Sequence, residues 1–138
     1  MQLIDKVERT IAKTGAELRH TALFGLKAVT IKANEKYAIF SDTDDLSTMS
    51  ALASAEAHEC GHVATGSVYS FEADECTLLR AEMKADRYAA HKFLPVRKIK
   101  KAIESGYTEL WQMAELFGFD ERFIQRTIYI YRREGLLD

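Results

Sequence analysis

Residues 57–62 read Ala57-His58-Glu59-Cys60-Gly61-His62, and residues 82–86 read Glu82-Met83-Lys84-Ala85-Asp86. The first stretch lies in an alanine-rich, proline-free run from about Leu46 to Ala64 that ends near Gly66, the pattern of a helix. On a helix, histidines four apart lie within about 40° of each other, so both imidazoles reach one ion. Zinc suits neutral imidazole nitrogens and, in catalytic sites, keeps one position for water. Glu59 is offset by one residue. It stands close enough to take a proton from that water without ligating, and is the candidate general base. With the 4 histidines and 13 glutamates of this chain, H-E-x-x-H arises by chance about 0.01 times. The competing reading is a helix with two exposed histidines and no metal.

Two histidines leave a catalytic zinc one protein ligand short. Glu82 follows His62 by 20 residues, enough for a loop and a returning helix. Glu82 and Asp86 share a helix face with Leu78, Leu79, Ala85, Ala89 and Phe93, which is apolar. Carboxylates on such a face need partners. A metal for Glu82 and a histidine N–H for Asp86 supply them; solvated surface acids are the alternative. Glu72, Asp74 and Glu75, in or near the intervening loop, are further candidates for the third ligand. Two histidines and a carboxylate also admit manganese or iron.

Outward from these stretches, Leu3, Ile4, Val7, Ile11 and Leu18 predict an amphipathic helix over 3–18. Residues 27–32 and 36–40 alternate and predict a hairpin closed around Ala33-Asn34-Glu35. Asp42, Asp44 and Asp45 suit the N-terminus of the histidine-bearing helix. A loop over 66–73 leads to a second long helix over Asp74–Phe93, stopped by Pro95. A basic helix with Arg97, Lys98, Lys100 and Lys101 ends at Ser105-Gly106. Thr108 and Asp120 predict N-caps for helices over 109–117 and 121–133, with Gly118 between them. The order predicts an α+β domain, helices stacked on a small antiparallel sheet. A core over 1–95 and a C-terminal helical segment over 96–138 pack as one domain.

The composition sets bounds. In 138 residues, 47% are hydrophobic, which excludes disorder as the main state. The charge of −2 excludes a chain-wide nucleic-acid or membrane footprint, though a local patch remains open. Two cysteines, no leader pattern at the start and no apolar run of membrane-spanning length lead to the expectation of a cytoplasmic protein.

The chain resembles the ImmA/IrrE family of zinc metallopeptidases. Ala57-His58-Glu59-Cys60-Gly61-His62 is similar to the family's A-H-E-x-G-H string. Glu82 to Ala90 is similar to its E-x-x-A-[ND]-x-[FY]-A-A, with Leu94-Pro95 following. Trp111 to Phe119 looks like its A-E-x-F-G-V segment, and Tyr131-Arg132 with Gly135-Leu136 like its close. The resemblance covers about residues 47–138. It implies a gluzincin-like (zincin-like) fold with His58, His62 and Glu82 on one zinc and Glu59 as general base. Asp86, in the place of the gluzincin aspartate, orients a zinc-bound histidine. Cys60 and Asp86 stand where Leu or Ile and Asn are common. Short members of the family, in phages and integrative elements, sit beside helix-turn-helix repressors and cleave or antagonise them. The expectation is therefore a narrow-specificity endopeptidase whose partner is a repressor, with a non-catalytic antirepressor or binding module as the alternative.

Further expectations concern substrate handling. The strand over 36–40, directly before the histidine helix, is the expected peptide-binding edge near Tyr37–Phe40. Tyr69 is a candidate transition-state stabiliser, with plain packing as the alternative. Cys60 faces away from the histidines into packing. His91 is expected in solvent, and His20 at the end of the first helix. Residues 108–133 invite a DNA-binding reading, but Phe123, Ile124, Ile128 and Ile130 look like core and the basic face is weak. Arg97 to Lys101 suits an acidic partner or a solvated face.

Overall fold

The computed structural model describes residues 1–70 and 72–138. Phe71, within the expected 66–73 loop, lies outside the described residues. The described chain is α+β, with six helices and one three-stranded sheet. None of its helices is long and apolar enough to cross a membrane.

Helix α1 (Leu3–Lys13) buries Ile4, Val7 and Ile11. It stops short of the expected residue 18. The Thr14 hydroxyl donates to the Ile11 carbonyl, and Gly15 turns the chain at φ +85°, a value costly for residues with a Cβ. Residues Glu17–His20 then form β1. Leu18, seven residues after Ile11, mimicked helical spacing. His20 consequently ends a strand and answers no helix dipole; its Nδ1 lies 2.7 Å from Ser41 Oγ.

The hairpin is formed by β2 (Ala28–Ala33) and β3 (Lys36–Ser41). Its two turn residues, Asn34 and Glu35, both have positive φ, 51° and 66°, matching the right-handed twist of the strands. β1 pairs with β3 in parallel, and β2 pairs with β3 antiparallel. The sheet is therefore mixed, in the order β1-β3-β2. This corrects the expected all-antiparallel sheet and the expected peptide edge. Tyr37–Phe40 lies in the central strand, whose backbone is paired on both sides. The free edge beside the hairpin belongs to β2.

Helix α2 (Met49–Thr65) begins later than Leu46. Thr48 caps it by accepting from the Ala51 N–H, and Gly66 closes it at φ 65°. The aspartate cluster does not cap it. Asp42 instead accepts from the N–H groups of Leu23, Asp44 and Asp45, which shapes the turn before the helix. Helix α3 (Glu75–Phe93) is capped by Asp74. Helix α4 (Val96–Glu104) follows Pro95. Helix α5 (Leu110–Phe117) is capped by Glu109, not Thr108, because the Gln112 side chain reaches back to both N–H groups. Asp120 caps α6 (Glu121–Arg133) as expected.

One buried cluster draws on both ends of the chain. Val7, Ile11, Ile39 and Phe93 meet Ile99, Met113, Ile124 and Tyr131 in it. The buried Tyr131 hydroxyl donates to the Leu94 carbonyl at 2.7 Å, tying α6 to the end of α3. Helix α2 runs through the middle, with Ala53, Ala57, Cys60 and Val63 all buried. It comes against the backbone of α3 at Gly61. A methyl group there would fall on the Ala85 carbonyl oxygen and within 2.8 Å of Ala85 Cα. Backbone opposes backbone, so no side-chain rotation relieves the clash.

Gly61→Ala is therefore expected to force α2 and α3 apart and to destabilise the fold by about 1–3 kcal/mol, the usual range for overpacking. Urea denaturation checks this; unchanged stability would contradict the close crossing.

Candidate metal centre

Helix α2 supplies His58, Glu59 and His62, and α3 supplies Glu82 and Asp86. The crossing at Gly61–Ala85 sets the two groups against each other. His58 Nε2 lies 3.1 Å from His62 Nε2 and 2.7 Å from Glu82 Oε2, while His62 Nε2 lies 3.3 Å from Glu82 Oε1. These three residues form a group that could hold a metal ion.

The donor chemistry fits such an ion. His62 Nδ1 donates to the Ser67 carbonyl at 2.9 Å, and a carbonyl only accepts. His58 Nδ1 donates to Asp86 Oδ1 at 2.7 Å. With both Nδ1 atoms carrying protons, a neutral imidazole presents a lone pair at Nε2, and both Nε2 atoms turn toward Glu82. A tetrahedral shell with bonds of about 2.0–2.2 Å spaces its ligands about 3.3–3.6 Å apart. The observed gaps are near that size and slightly tighter, as hydrogen bonds would hold them.

Without an ion, the same groups share a proton. Burial opposes a charge on His58, but the hydrogen bonds to Asp86 and Glu82 and the nearby Glu59 prevail and push it up to about 10. The hydrogen bond from His58, together with the approach of the His62 ring, holds Glu82 well below the usual carboxylate range against the effect of burial. The stability His58 lends to the metal-free chain is complete below its ordinary value of 6.5 and is lost as pH rises through about 10.

Glu59 is buried beside this trio. The Thr30 hydroxyl, from β2, donates to its Oε1 at 2.8 Å. Tyr69 reaches the site from the loop, its hydroxyl donating to Glu82 Oε1 at 2.8 Å. Burial and Glu82 push the Tyr69 hydroxyl up to about 12, so it remains a donor. Arg126 of α6 stands 3.4 Å from Asp86 Oδ1.

Every residue of the expected site is thus brought together: His58, Glu59, His62, Glu82, Asp86 and Tyr69. The three other candidates for the third ligand are not. Asp74 caps α3, and Glu72 and Glu75 are exposed. The face carrying Glu82 and Asp86 is less buried than its apolar neighbours suggested. The two side chains are 31% and 21% exposed, and Leu79 lies in solvent. Cys60 is fully buried as expected. His91 is exposed as expected, its Nε2 meeting Glu134 at 2.6 Å and its ring standing edge-on to Tyr131.

Thr30, Ser67 and Arg126 are additions to the sequence reading. Thr30 had a signal, as the polar residue between Val29 and Ile31 in an alternating strand. Ser67 and Arg126 had none, because their partners depend on where a loop and α6 come to rest. Comparison with protein-family models, curated proteins and solved structures yields no significant match.

Because His58 is protonated at neutral pH in the metal-free chain, metal binding is expected to expel about one proton and to weaken as pH falls. Calorimetric titration in two buffers of different ionisation enthalpy measures the count; no proton release would contradict the shared-proton site.

Proposed function

We propose that this chain is a zinc-dependent endopeptidase of narrow specificity on a zincin-like fold, as the ImmA/IrrE resemblance implies, and that its substrate is a helix-turn-helix repressor. One observation carries the reading. Three ligand atoms converge from two helices, and a buried carboxylate, Glu59, is anchored beside them by Thr30.

His58, His62 and Glu82 hold the metal in this reading. When bound, zinc supplies the Lewis acidity that makes water a nucleophile near neutral pH and polarises the scissile carbonyl. The Thr30 hydroxyl occupies Glu59 Oε1 and leaves the second oxygen to take the water proton and pass it to the leaving amine. Asp86 and the Ser67 carbonyl keep the two imidazoles oriented. Tyr69, a donor beside Glu82, is the residue placed to stabilise a developing oxyanion.

Substrate backbone has a place beside this machinery. The Asn34-Glu35 turn makes Ala33 and Lys36 a hydrogen-bonded pair, so Ala28, Thr30 and Lys32 turn their backbone groups to the free edge of β2. A peptide added there in strand form runs past Thr30 and hence past Glu59. The cytoplasmic setting belongs to the same proposal, and both cysteines are free thiols.

A second reading rests on a different feature. Tyr107, Trp111 and Leu116 are exposed on the α5 side of the molecule, a surface suited to docking a partner without cutting it. α6 is a poor DNA reader, with Ile124 buried and Arg126 near Asp86.

Glu59→Gln is expected to bind as much zinc as wild type and to cleave a helix-turn-helix protein encoded beside it about 10²–10⁴-fold more slowly. Wild-type cleavage by this variant would overturn the mechanism, and full antirepression without cleavage would select the second reading.

A further inference from the structure

The opposite face of α2 carries a second convergence of ligating groups. Glu56 lies about 200° around the helix from His58 and faces α1 and the end of β1. Its side chain is completely buried. Glu56 Oε1 is the one buried side-chain oxygen or nitrogen among the described residues without a hydrogen-bond partner. An ionised carboxylate left that way in a core is costly.

The surroundings supply ligands and no permanent cation. Ser41 Oγ donates to Glu56 Oε2 at 3.1 Å. That spends the only hydroxyl proton, so His20 Nδ1 donates to Ser41 Oγ at 2.7 Å. His20 Nε2 is left with its lone pair, 3.8 Å from Glu8 Oε2. One donor atom from each of Glu8, His20 and Glu56 lies within 4.8 Å of the other two. These residues come from three separate elements, α1, β1 and α2.

We propose that Glu8, His20 and Glu56 form a second metal site, for a divalent first-row transition ion. Two carboxylates and one imidazole match such an ion in charge and in ligand type. The bound ion neutralises both acids, gives the orphaned oxygen its partner, and pins α1 and β1 to the helix that carries His58 and His62. Its role is structural. Glu8 and His20 are partly exposed, with side chains 35% and 44% accessible, so the ion has a route in and the ligands have room to close on it. The site does not depend on the peptidase reading.

The test is a Mn2+ titration followed by electron paramagnetic resonance. The protein is the full chain carrying His58→Ala and His62→Ala, which removes the first site. One equivalent is expected to bind and to raise the melting temperature, and adding Glu56→Gln or His20→Ala is expected to weaken binding at least tenfold. Glu56→Gln is isosteric and removes a buried charge, so circular dichroism should report an intact fold. If the double variant does not fold, the count is taken in the parent chain, with two equivalents expected and one remaining in Glu56→Gln. No saturable binding in the folded double variant, or binding indifferent to Glu56→Gln and His20→Ala, would overturn the site and leave Glu56 as a protonated carboxyl beside Glu8. Either result leaves the outcome of the Glu59→Gln experiment untouched.

Discussion

The contact between Gly61 and Ala85 is the constraint on which the site depends. Two helices separated by a loop approach until backbone meets backbone, which requires a residue without a side chain on one of them. His58 and His62 flank that point on α2, and Glu82 and Asp86 flank it on α3. A crossing wider by one methyl group would separate both carboxylates from both imidazoles together. The glycine inside the H-E-x-x-H stretch is thus as much a part of the site as its polar residues.

Polar partners then remove the remaining freedom. An imidazole offers either nitrogen to an ion, and the choice is made by what the other nitrogen meets. Asp86 makes it for His58 and the Ser67 carbonyl for His62. Glu59 is held by Thr30 from the sheet, and Asp86 is approached by Arg126 from α6. Sheet, loop and C-terminal helix all contribute such contacts. This gives the segment after Pro95 a share in the site as well as in the core.

Helix spacing is a local property, and local properties were legible. The boundaries of α3, α4 and α6 follow from Asp74, Pro95 and Asp120, each acting on its own neighbours. The pairing of His58 with His62, and of Glu82 with Asp86, follows from 100° per residue. Where two local readings compete, the pattern misleads. Leu18 fits the helix begun at Leu3, yet Gly15 lets the chain turn, and pairing with β3 repays the extended form. Thr108 is a good capping residue, yet Gln112 reaches Glu109. Of the three aspartates before α2, Asp42 is held by the backbone N–H groups of Leu23, Asp44 and Asp45, and Thr48 caps the helix in their place.

The sequence by itself determined the chemistry available: two imidazoles on one helix face, a carboxylate between them, and two more acids one turn apart downstream. These depend only on covalent order and helical pitch. The tertiary structure alone decided which acids meet which histidines, that β3 lies in the middle of the sheet, that Thr30 holds Glu59, and that Glu56 is buried against Glu8 and His20. Those outcomes depend on how distant segments pack. Close packing selects among many sterically allowed arrangements through the summed fit of all the elements, which no single stretch of sequence contains.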